Sequence, residues 1–299
     1  MRRSEHSGQL MFLDMTPPVG HVVNVASVPQ RSPFRYPGGK TWLVPRICQW
    51  LASLRQRPSV FLEPFAGGAI IGLTVAFERL AEKVVLVELD DHVAAVWTTV
   101  LSDDNEWLAE RILSFDLTIE NLRKELAYEA TSIKRIAFQT ILKNRTFHGG
   151  IMAPGSGLIR HGENGKGISS RWYPQTIARR IRAIADIRER IEFIHGDGIQ
   201  AIRSYNSGRC AAMFIDPPYT AAGKRAGTRL YKYFEVDHER LFSEVSKVRG
   251  DVLFSYDNAP ELVELAGRYG FGTRTIPMKN THHAKMMELL IGRNLDWLR

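Results

Sequence analysis

Short apolar, β-branched runs alternate with longer amphipathic ones over the first third of the chain. SVFLE (59–63) precedes a stretch of helical period from about 68 to 80, and KVVLVE (83–88) precedes another from about 91 to 101. Strands alternating with helices in this way predict a parallel sheet covered by helices. The alternation then stops. Residues 104–142 keep a helical period, and 144–173 (NRTFHGGIMAPGSGLIRHGENGKGISSRWY) are rich in Gly, Ser, His and Arg without a long apolar run, which reads as an insertion into the α/β domain. A helix is expected over PQTIARRIRAIADIRERI (174–191), then strands at IEFIHGD (191–197), CAAMFID (210–216) and DVLFS (251–255). FGTRTIPM (271–278) and MMELLIG (286–292) read as a closing antiparallel pair. Residues 1–31 show no sustained period and carry Pro17, Pro18, Gly20 and Pro29, so a loosely ordered, flexible lead-in is expected there.

Composition narrows the class. With 299 residues, 44% hydrophobic and 24% charged, the chain is an ordinary globule, which excludes collagen-like, wholly disordered and coiled-coil classes. The net charge of +8 suits a polyanionic partner, and its distribution is uneven. Residues 61–116 hold 3 basic and 11 acidic side chains, whereas 143–182 hold 8 basic and 1 acidic, so the insertion carries the polyanion-facing charge. No apolar run approaches the roughly 18–20 residues of a membrane span, and the first residues lack a signal-like apolar core; a cytoplasmic protein with no membrane partner is expected. Cys48 and Cys210 stand far apart with no Cys/His cluster, and read as plain buried thiols. His148, His161, His282 and His283 form no metal spacing, so no metal is expected.

Two segments carry chemistry. FLEPFAGGAIIGL (61–73) is a strand, a glycine-rich turn and a helix, where the backbone can approach a ligand closely and a helix start offers unpaired N–H groups. Twenty residues after Gly68, Glu88 ends the next strand and can accept both hydroxyls of a ribose. Together they indicate an adenosine-type cofactor. The second segment, AAMFIDPPYT (211–220), sets Asp216, Pro217, Pro218 and Tyr219 at the carboxyl end of an apolar strand, where open α/β sheets bind ligands. The prolines stiffen the turn and remove two donors. The Asp216 carboxylate and Pro217 carbonyl can then accept from one planar amino group, with the Tyr219 ring against the base that carries it.

The motifs PFRYPGGK (33–40), EPFAGGA (63–69), VELD (87–90), GDGIQAI (196–202), DPPYT (216–220) and FSYDN (254–258) occur in the order seen in the alpha-group, Dam-type DNA adenine-N6 methyltransferases, which the chain resembles from residue 33 to about 292. The resemblance implies a Rossmann-like, S-adenosylmethionine-dependent fold: a seven-stranded, mostly parallel sheet with a terminal antiparallel strand and an inserted helical and hairpin target-recognition region. It divides the chain into a flexible segment (1–31), a catalytic domain (32–103 and 190–299) and the insertion (104–189). It also implies that Tyr36, Gly39 and Lys40 close over the cofactor, that Glu63, Pro64, Phe65, Ala66, Gly67 and Gly68 form its loop, and that Glu88 holds the ribose. By the same resemblance Asp197 is expected to accept from the cofactor's adenine amino group, and Asp216 to border the same site. Where the family commonly has F-x-G-x-G, this chain ends the pattern on Ala69.

The activity so implied is direct, in-line transfer of a methyl group to the N6 amine of an adenine extruded from double-stranded DNA, in a setting such as restriction-modification. Lys143, Asn144, Arg145, Arg160, Lys166 and Arg171 are the expected DNA contacts, with Phe147 and Trp172 as wedges or stacking surfaces. Arg145 is expected to read a base edge and Lys166 to touch phosphate. Other planar amines are the competing substrates: cytosine N4, an RNA base or a glutamine amide. Cytosine-N4 enzymes usually carry Ser, and glutamine-directed ones Asn, where Asp216 stands. A NAD-dependent oxidoreductase accounts for the glycine turn and Glu88 but leaves Asp-Pro-Pro-Tyr and the basic insertion unexplained.

Overall fold

Phe61 and Leu62, Val84 to Val87, Ala212 to Ile215 and Leu253 to Tyr256 are buried whichever way they point, because their strands are covered on both faces. The computed structural model describes residues 18, 20–36, 38–150, 156–205, 211–218, 236–279 and 285–298. Its strands are β1 (Val60–Glu63), β2 (Lys83–Glu88), β3 (Ile191–His195), β4 (Ala211–Ile215), β5 (Asp251–Asp257), β6 (Gly272–Lys279) and β7 (Lys285–Gly292), forming one sheet in the order β3-β2-β1-β4-β5-β7-β6. The pairs from β3 across to β5 are parallel; β7 runs antiparallel to both β5 and β6. The chain therefore builds outward from β1 to β3, returns, and builds the other way from β4. That reversal between β1 and β4 opens a crevice at their carboxyl ends.

Alternate residues of each strand feed two cores. Phe61, Val84, Leu86, Phe214 and Leu253 face one layer, with Ile47 and Leu51 of α1 (Val44–Ser53), Ile71 and Val75 of α2 (Ile70–Phe77) and Val96 and Trp97 of α3 (Asp91–Leu101). Leu62, Val85, Met213, Ile215 and Phe254 face the other, with Ile199 and Ile202 later in the chain, Phe242 and Val245, and Leu262 and Leu265. These pairs belong to the helices Gly198–Tyr205, His238–Ser246 and Pro260–Arg268.

The inserted stretch contributes α4 (Asn105–Ser114), α5 (Ile119–Ala127), α6 (Ile133–Thr146) and α7 (Pro174–Ala185). Phe138, Ile141, Ile177 and Ile181 sit in the same core as Phe61, so the insertion packs onto the sheet's helical layer. Buried Glu125 accepts from Arg111 of α4 and Arg135 of α6, tying three of these helices together. In chain order, Gly198–Tyr205, His238–Ser246 and Pro260–Arg268 follow as α8, α9 and α10.

The expected elements are present, with shifted ends. The helix expected from 68 begins at Ile70, because Gly67 and Ala69 take positive φ (47° and 50°) and prolong the turn. Helical structure expected to end at 142 runs on to Thr146, so Asn144 and Arg145 are helical instead of in a loop. Thr146 Oγ1 donates to the Leu142 carbonyl, and Asn144 and Arg145 find partners inside the molecule. The helix expected over 174–191 ends at Ala185. The lead-in is not loose throughout: Val23 and Val28 are buried, and Arg31 pairs with Glu78.

A glycine locks α2 to β1. Gly72 N–H donates to Glu63 Oε2 at 2.7 Å, and a Cβ on Gly72 would lie 2.5 Å from both that oxygen and Leu86 Cδ2. Gly72→Ala is expected to destabilise the protein by about 1–3 kcal/mol, as overpacking does. Urea unfolding checks this; an unchanged midpoint would mean that β1 and α2 adjust freely.

Candidate active site

The crevice is framed first by the turn between β1 and α2. Ala66 N–H donates to the Val87 carbonyl of β2, and the Gly67 carbonyl accepts from Trp97 Nε1 of α3 at 2.9 Å. Trp97 is fully buried, so the turn is pinned from beneath. From above, Tyr36 lies across it: a Cβ on Gly67 would meet the Tyr36 ring at 2.5 Å, and one on Gly68 would meet Tyr36 Cβ at 2.8 Å. The two glycines thus make room for Tyr36. Ala69 holds its left-handed conformation without glycine's freedom, which costs about 1–2 kcal/mol.

Acidic side chains stand at neighbouring strand ends. Glu88, ending β2, accepts from Leu89 and Asp90 N–H with Oε1 and from Gly67 N–H with Oε2, which fastens β2 to the glycine turn. Burial outweighs these bonds and pushes its pKa up to about 6. Asp197 follows β3 and caps α8 through Oδ1, accepting from Ile199 N–H at 2.7 Å; among the described residues its Oδ2 accepts no hydrogen bond. A Cβ on Gly198 would lie 2.2 Å from the Pro64 carbonyl, so Asp197 sits beside the Pro64–Phe65 corner. Two carboxylates beside the glycine turn are acceptors suited to the hydroxyls and amino group of an adenosine, and S-adenosylmethionine fits this set. Glu63 differs. It is buried against Gly72, and burial, with Asp216's charge adding, holds its pKa well above the carboxylate range, so it braces the turn from inside.

On the far side of the switch point, Asp216 follows β4. Lys40 Nζ lies 3.0 Å from Asp216 Oδ1 and 3.3 Å from Glu288 Oε1 of β7, and it also donates to the Gly38 carbonyl. Ser255 Oγ of β5 donates to the same Asp216 oxygen at 2.9 Å. Lys40 is only 5% exposed and Glu288 4%. Burial raises the pKa of Glu288, Lys40 opposes that shift, and Asp216 and Asp257 add to it. Pro217 is buried and Pro218 half-buried behind Asp216; Tyr219 lies outside the described residues, as do Cys210, His282 and His283. Beyond Ser255, Tyr256 is fully buried and its hydroxyl lies 3.0 Å from His238 Nδ1.

Residues 36, 39, 40, 64–68, 88, 197 and 216–218 are thus gathered around the carboxyl ends of β1 to β4. Sequence reasoning missed Trp97, Ser255 and Glu288. For Glu288 a signal existed, since a lone acid inside MMELLIG is out of place unless paired.

The expected DNA contacts divide. Asn144 is wholly buried: its Oδ1 accepts from Arg35 N–H and its Nδ2 donates to the carbonyls of Arg35 and Gly150. Arg145 is 4% exposed and donates to the Pro33 carbonyl, so neither residue presents its side chain to a partner's surface as expected. Trp172 is half-buried, edge-on to Phe115, and Phe147 pairs with Leu158 in an isolated bridge. Arg160 and Lys166 are exposed and, with Arg123 and His148, line an open cleft of about 950 Å³. Lys143 and Arg171 are half-buried. Cys48 is a free, buried thiol whose pKa burial pushes up to about 12. Among the described residues, no group of three or more His, Cys, Asp or Glu is placed to hold a metal, and no helix is long and apolar enough to cross a membrane.

Removing one partner of a buried ion pair leaves the other charge uncompensated, which costs about 3–5 kcal/mol. Lys40→Met is therefore expected to lower stability by that order, and adding Glu288→Gln to recover part of it. Urea unfolding of both variants checks this; a midpoint for Lys40→Met equal to wild type would show that the contacts add nothing.

No curated protein matches the chain in sequence. Among solved structures it is similar to PH1948 of Pyrococcus horikoshii, provisionally named an RNA methyltransferase (TM-score 0.40, 11% identity, 97% of each chain covered). It is also similar to the rRNA methyltransferase AviRa of Streptomyces viridochromogenes (TM-score 0.39, 14% identity, 86% of each chain). A third similarity is to precorrin-6y C5,15-methyltransferase of Geobacter metallireducens (TM-score 0.30, 9% identity, 81% of this chain and 83% of that one). Residues 36–150, from Tyr36 through the glycine turn and Glu88 to Gly150, match the family model of the D12 class N6 adenine-specific DNA methyltransferases. The resemblance carried by the motifs is borne out over that stretch, and the chain is a methyltransferase whose methyl donor is S-adenosylmethionine.

Proposed function

We propose that the chain methylates the N6 amine of adenine in double-stranded DNA. The observation that carries this reading is Asp216 itself: a carboxylate at the carboxyl end of β4, oriented by Lys40 and Ser255, one strand away from the glycine turn. The bound cofactor supplies a methyl group on a sulfonium, which leaves as a neutral thioether when a nitrogen lone pair displaces it. Everything else is positioning and electrostatics, for which effective molarity accounts for roughly 7–11 kcal/mol of barrier.

In this reading Glu88 and Asp197 accept from the ribose hydroxyls and the cofactor's adenine amino group, and Tyr36 borders the Gly67–Gly68 backbone. Asp216 and the Pro217 carbonyl accept the two N6 hydrogens, which concentrates electron density on the nitrogen and aims its lone pair; a proton then leaves the methylated amine by way of the carboxylate. Tyr219 is assigned to the face of the extruded base. Extrusion costs a few kcal/mol, which basic contacts to the backbone offset. Lys143, Arg160, Lys166 and Arg171 are the DNA contacts we retain, in an insertion spanning 104–189 between the catalytic segments 32–103 and 190–299. Arg123 and His148 join them because they line the same cleft as Arg160 and Lys166.

Labelled S-adenosylmethionine and unmethylated duplex, followed by nucleoside analysis, tests the substrate. Label in N6-methyladenine supports the proposal, whereas label in N4-methylcytosine, or only in RNA offered instead, replaces it. Asp216→Ala is expected to abolish transfer while cofactor still binds by equilibrium dialysis; turnover above a few per cent of wild type removes Asp216 from catalysis.

The Glu88 assignment predicts a pH dependence. Ribose hydroxyls donate to the ionised carboxylate, so cofactor affinity should be flat above about pH 6 and fall as pH drops below it. The ligand-free protein should show the opposite sign. Its folded state binds the extra proton between the ordinary carboxylate range and about pH 6, so Glu88's contribution to stability is fully present below that window and is lost as pH rises through it. Calorimetric titration with cofactor checks the first and urea unfolding without it the second, each on wild type and Glu88→Gln across pH 4–8; equal slopes in the two proteins would clear Glu88 of the role.

A further inference from the structure

Segment Ser32–Tyr36 lies between the insertion and the glycine turn, and both hold it. On the insertion side, the Asn144 amide pairs with both the N–H (2.9 Å) and the carbonyl (3.0 Å) of Arg35, as a neighbouring strand would. Its third bond, to the Gly150 carbonyl, closes the turn after α6 against the same peptide. A Cβ on Gly150 would lie 2.4 Å from the Arg35 carbonyl, so the approach requires glycine. Arg145 donates to the Pro33 carbonyl, and Arg180 of α7 to the Ser32 carbonyl at 2.9 Å. On the sheet side, the Phe34 ring packs against Trp97 at 5.6 Å and meets the Tyr36 ring edge-on at 6.2 Å. Trp97 holds the Gly67 carbonyl, and Tyr36 covers Gly67 and Gly68.

We infer that Asn144, Arg145 and Arg180 are positioning residues that make segment 32–36 a mechanical link, so that DNA held by the insertion and S-adenosylmethionine held at the glycine turn each raise the affinity for the other. The inference rests on the reading of DNA as substrate. Asn144 is wholly buried with its carbonyl oxygen and amide nitrogen both bonded, so α6 cannot rotate its last turn without carrying the Arg35 peptide, and with it Tyr36. That same last turn bears Lys143 and leads into the Phe147–Leu158 bridge and the basic cleft. DNA also has a reason to favour the linked arrangement. The guanidinium groups of Arg35, Arg171 and Arg180 stand close enough to repel that of Arg145, and a phosphodiester beside exposed Arg35 and half-buried Arg171 offsets that repulsion. Coupling of this kind is reciprocal and typically amounts to about 5–150-fold in affinity.

The test is a thermodynamic cycle on the full chain. S-adenosylhomocysteine, the cofactor's thioether form that has no methyl group to transfer, is titrated by calorimetry with and without saturating unmethylated duplex, and duplex is titrated with and without it. Wild type is expected to bind cofactor at least about fivefold more tightly in the presence of duplex, with the same factor in the reverse order. In Asn144→Ala the factor should fall below about two while both ligands still bind. Arg180→Gln, in a half-exposed side chain, should reduce it in the same direction and serves if Asn144→Ala does not fold. Arg182→Ala, which removes an exposed pairing with Glu106 and Glu110, should leave it unchanged. A merely structural Asn144 would lower stability and leave the factor intact. Wild-type coupling in both Asn144→Ala and Arg180→Gln, or none in wild type, overturns the inference. A wild type that binds cofactor but no duplex overturns the DNA reading instead, and the inference with it.

Discussion

A buried ammonium group fixes the relation between the two halves of the site. Lys40 comes from the segment ahead of the sheet, Asp216 from the end of β4 and Glu288 from β7; Lys40 and Glu288 are buried and Asp216 is half-buried beside them. An unpaired charge there is expensive, so each group constrains the others. The pairing sets where the residues after β4 begin, and it stations the antiparallel β7 beside β5. Ser255 adds a directed bond to the oxygen that Lys40 holds, which orients the carboxylate as well as placing it. The carboxylate that we propose holds the substrate amine is therefore oriented by the protein itself, which is the condition for electrostatic preorganisation.

The same economy governs the cofactor side. Glu88 uses both oxygens on backbone N–H groups of the glycine turn and of its own strand end, so the acid assigned to the ribose also shapes the turn that would cradle it. Gly67 and Gly68 are small because Tyr36 lies on them, and Gly72 is small because Glu63 reaches it. Three of the glycines thus answer to packing within this chain. The departure at Ala69 fits this picture, since its position needs a left-handed backbone and not an open face.

The sheet was legible because its signals are local. Apolar runs bounded by turns gave six further strands after β1 to within a few residues, including the closing antiparallel pair, and the glycine turn and Asp-Pro-Pro stand in sequence where they stand in space. What escaped depends on distant partners. Nothing local says that Glu288 will meet Lys40, that Trp97 will hold the Gly67 carbonyl, or that Asn144 will pair with a peptide more than a hundred residues earlier in the chain. The end of α6 was misjudged for the same reason. Asn is a weak helix former and the segment runs on into a glycine-rich stretch, whereas tertiary partners hold Asn144 and Arg145 helical and buried.

Charge counting has the same limit, and it changes what the insertion can be. Of the eight basic residues between 143 and 182, Arg145 and Arg180 donate to carbonyls of segment 32–36, and Arg182 pairs with Glu106 and Glu110. The excess that suggested a polyanion partner is thus partly internal structure, which ties this stretch to segment 32–36 and to α4. The remaining cations are not spread evenly over its surface: Arg160 and Lys166 share one cleft with Arg123, which comes from α5 and lay outside the counted stretch. A region whose cations are divided between anchoring inward and facing outward transmits force between the two, whereas a uniformly solvated basic loop does not. In this chain Arg145 and Arg180 bond carbonyls within four residues of Tyr36, and that is the route by which the coupling we infer would reach the glycine turn.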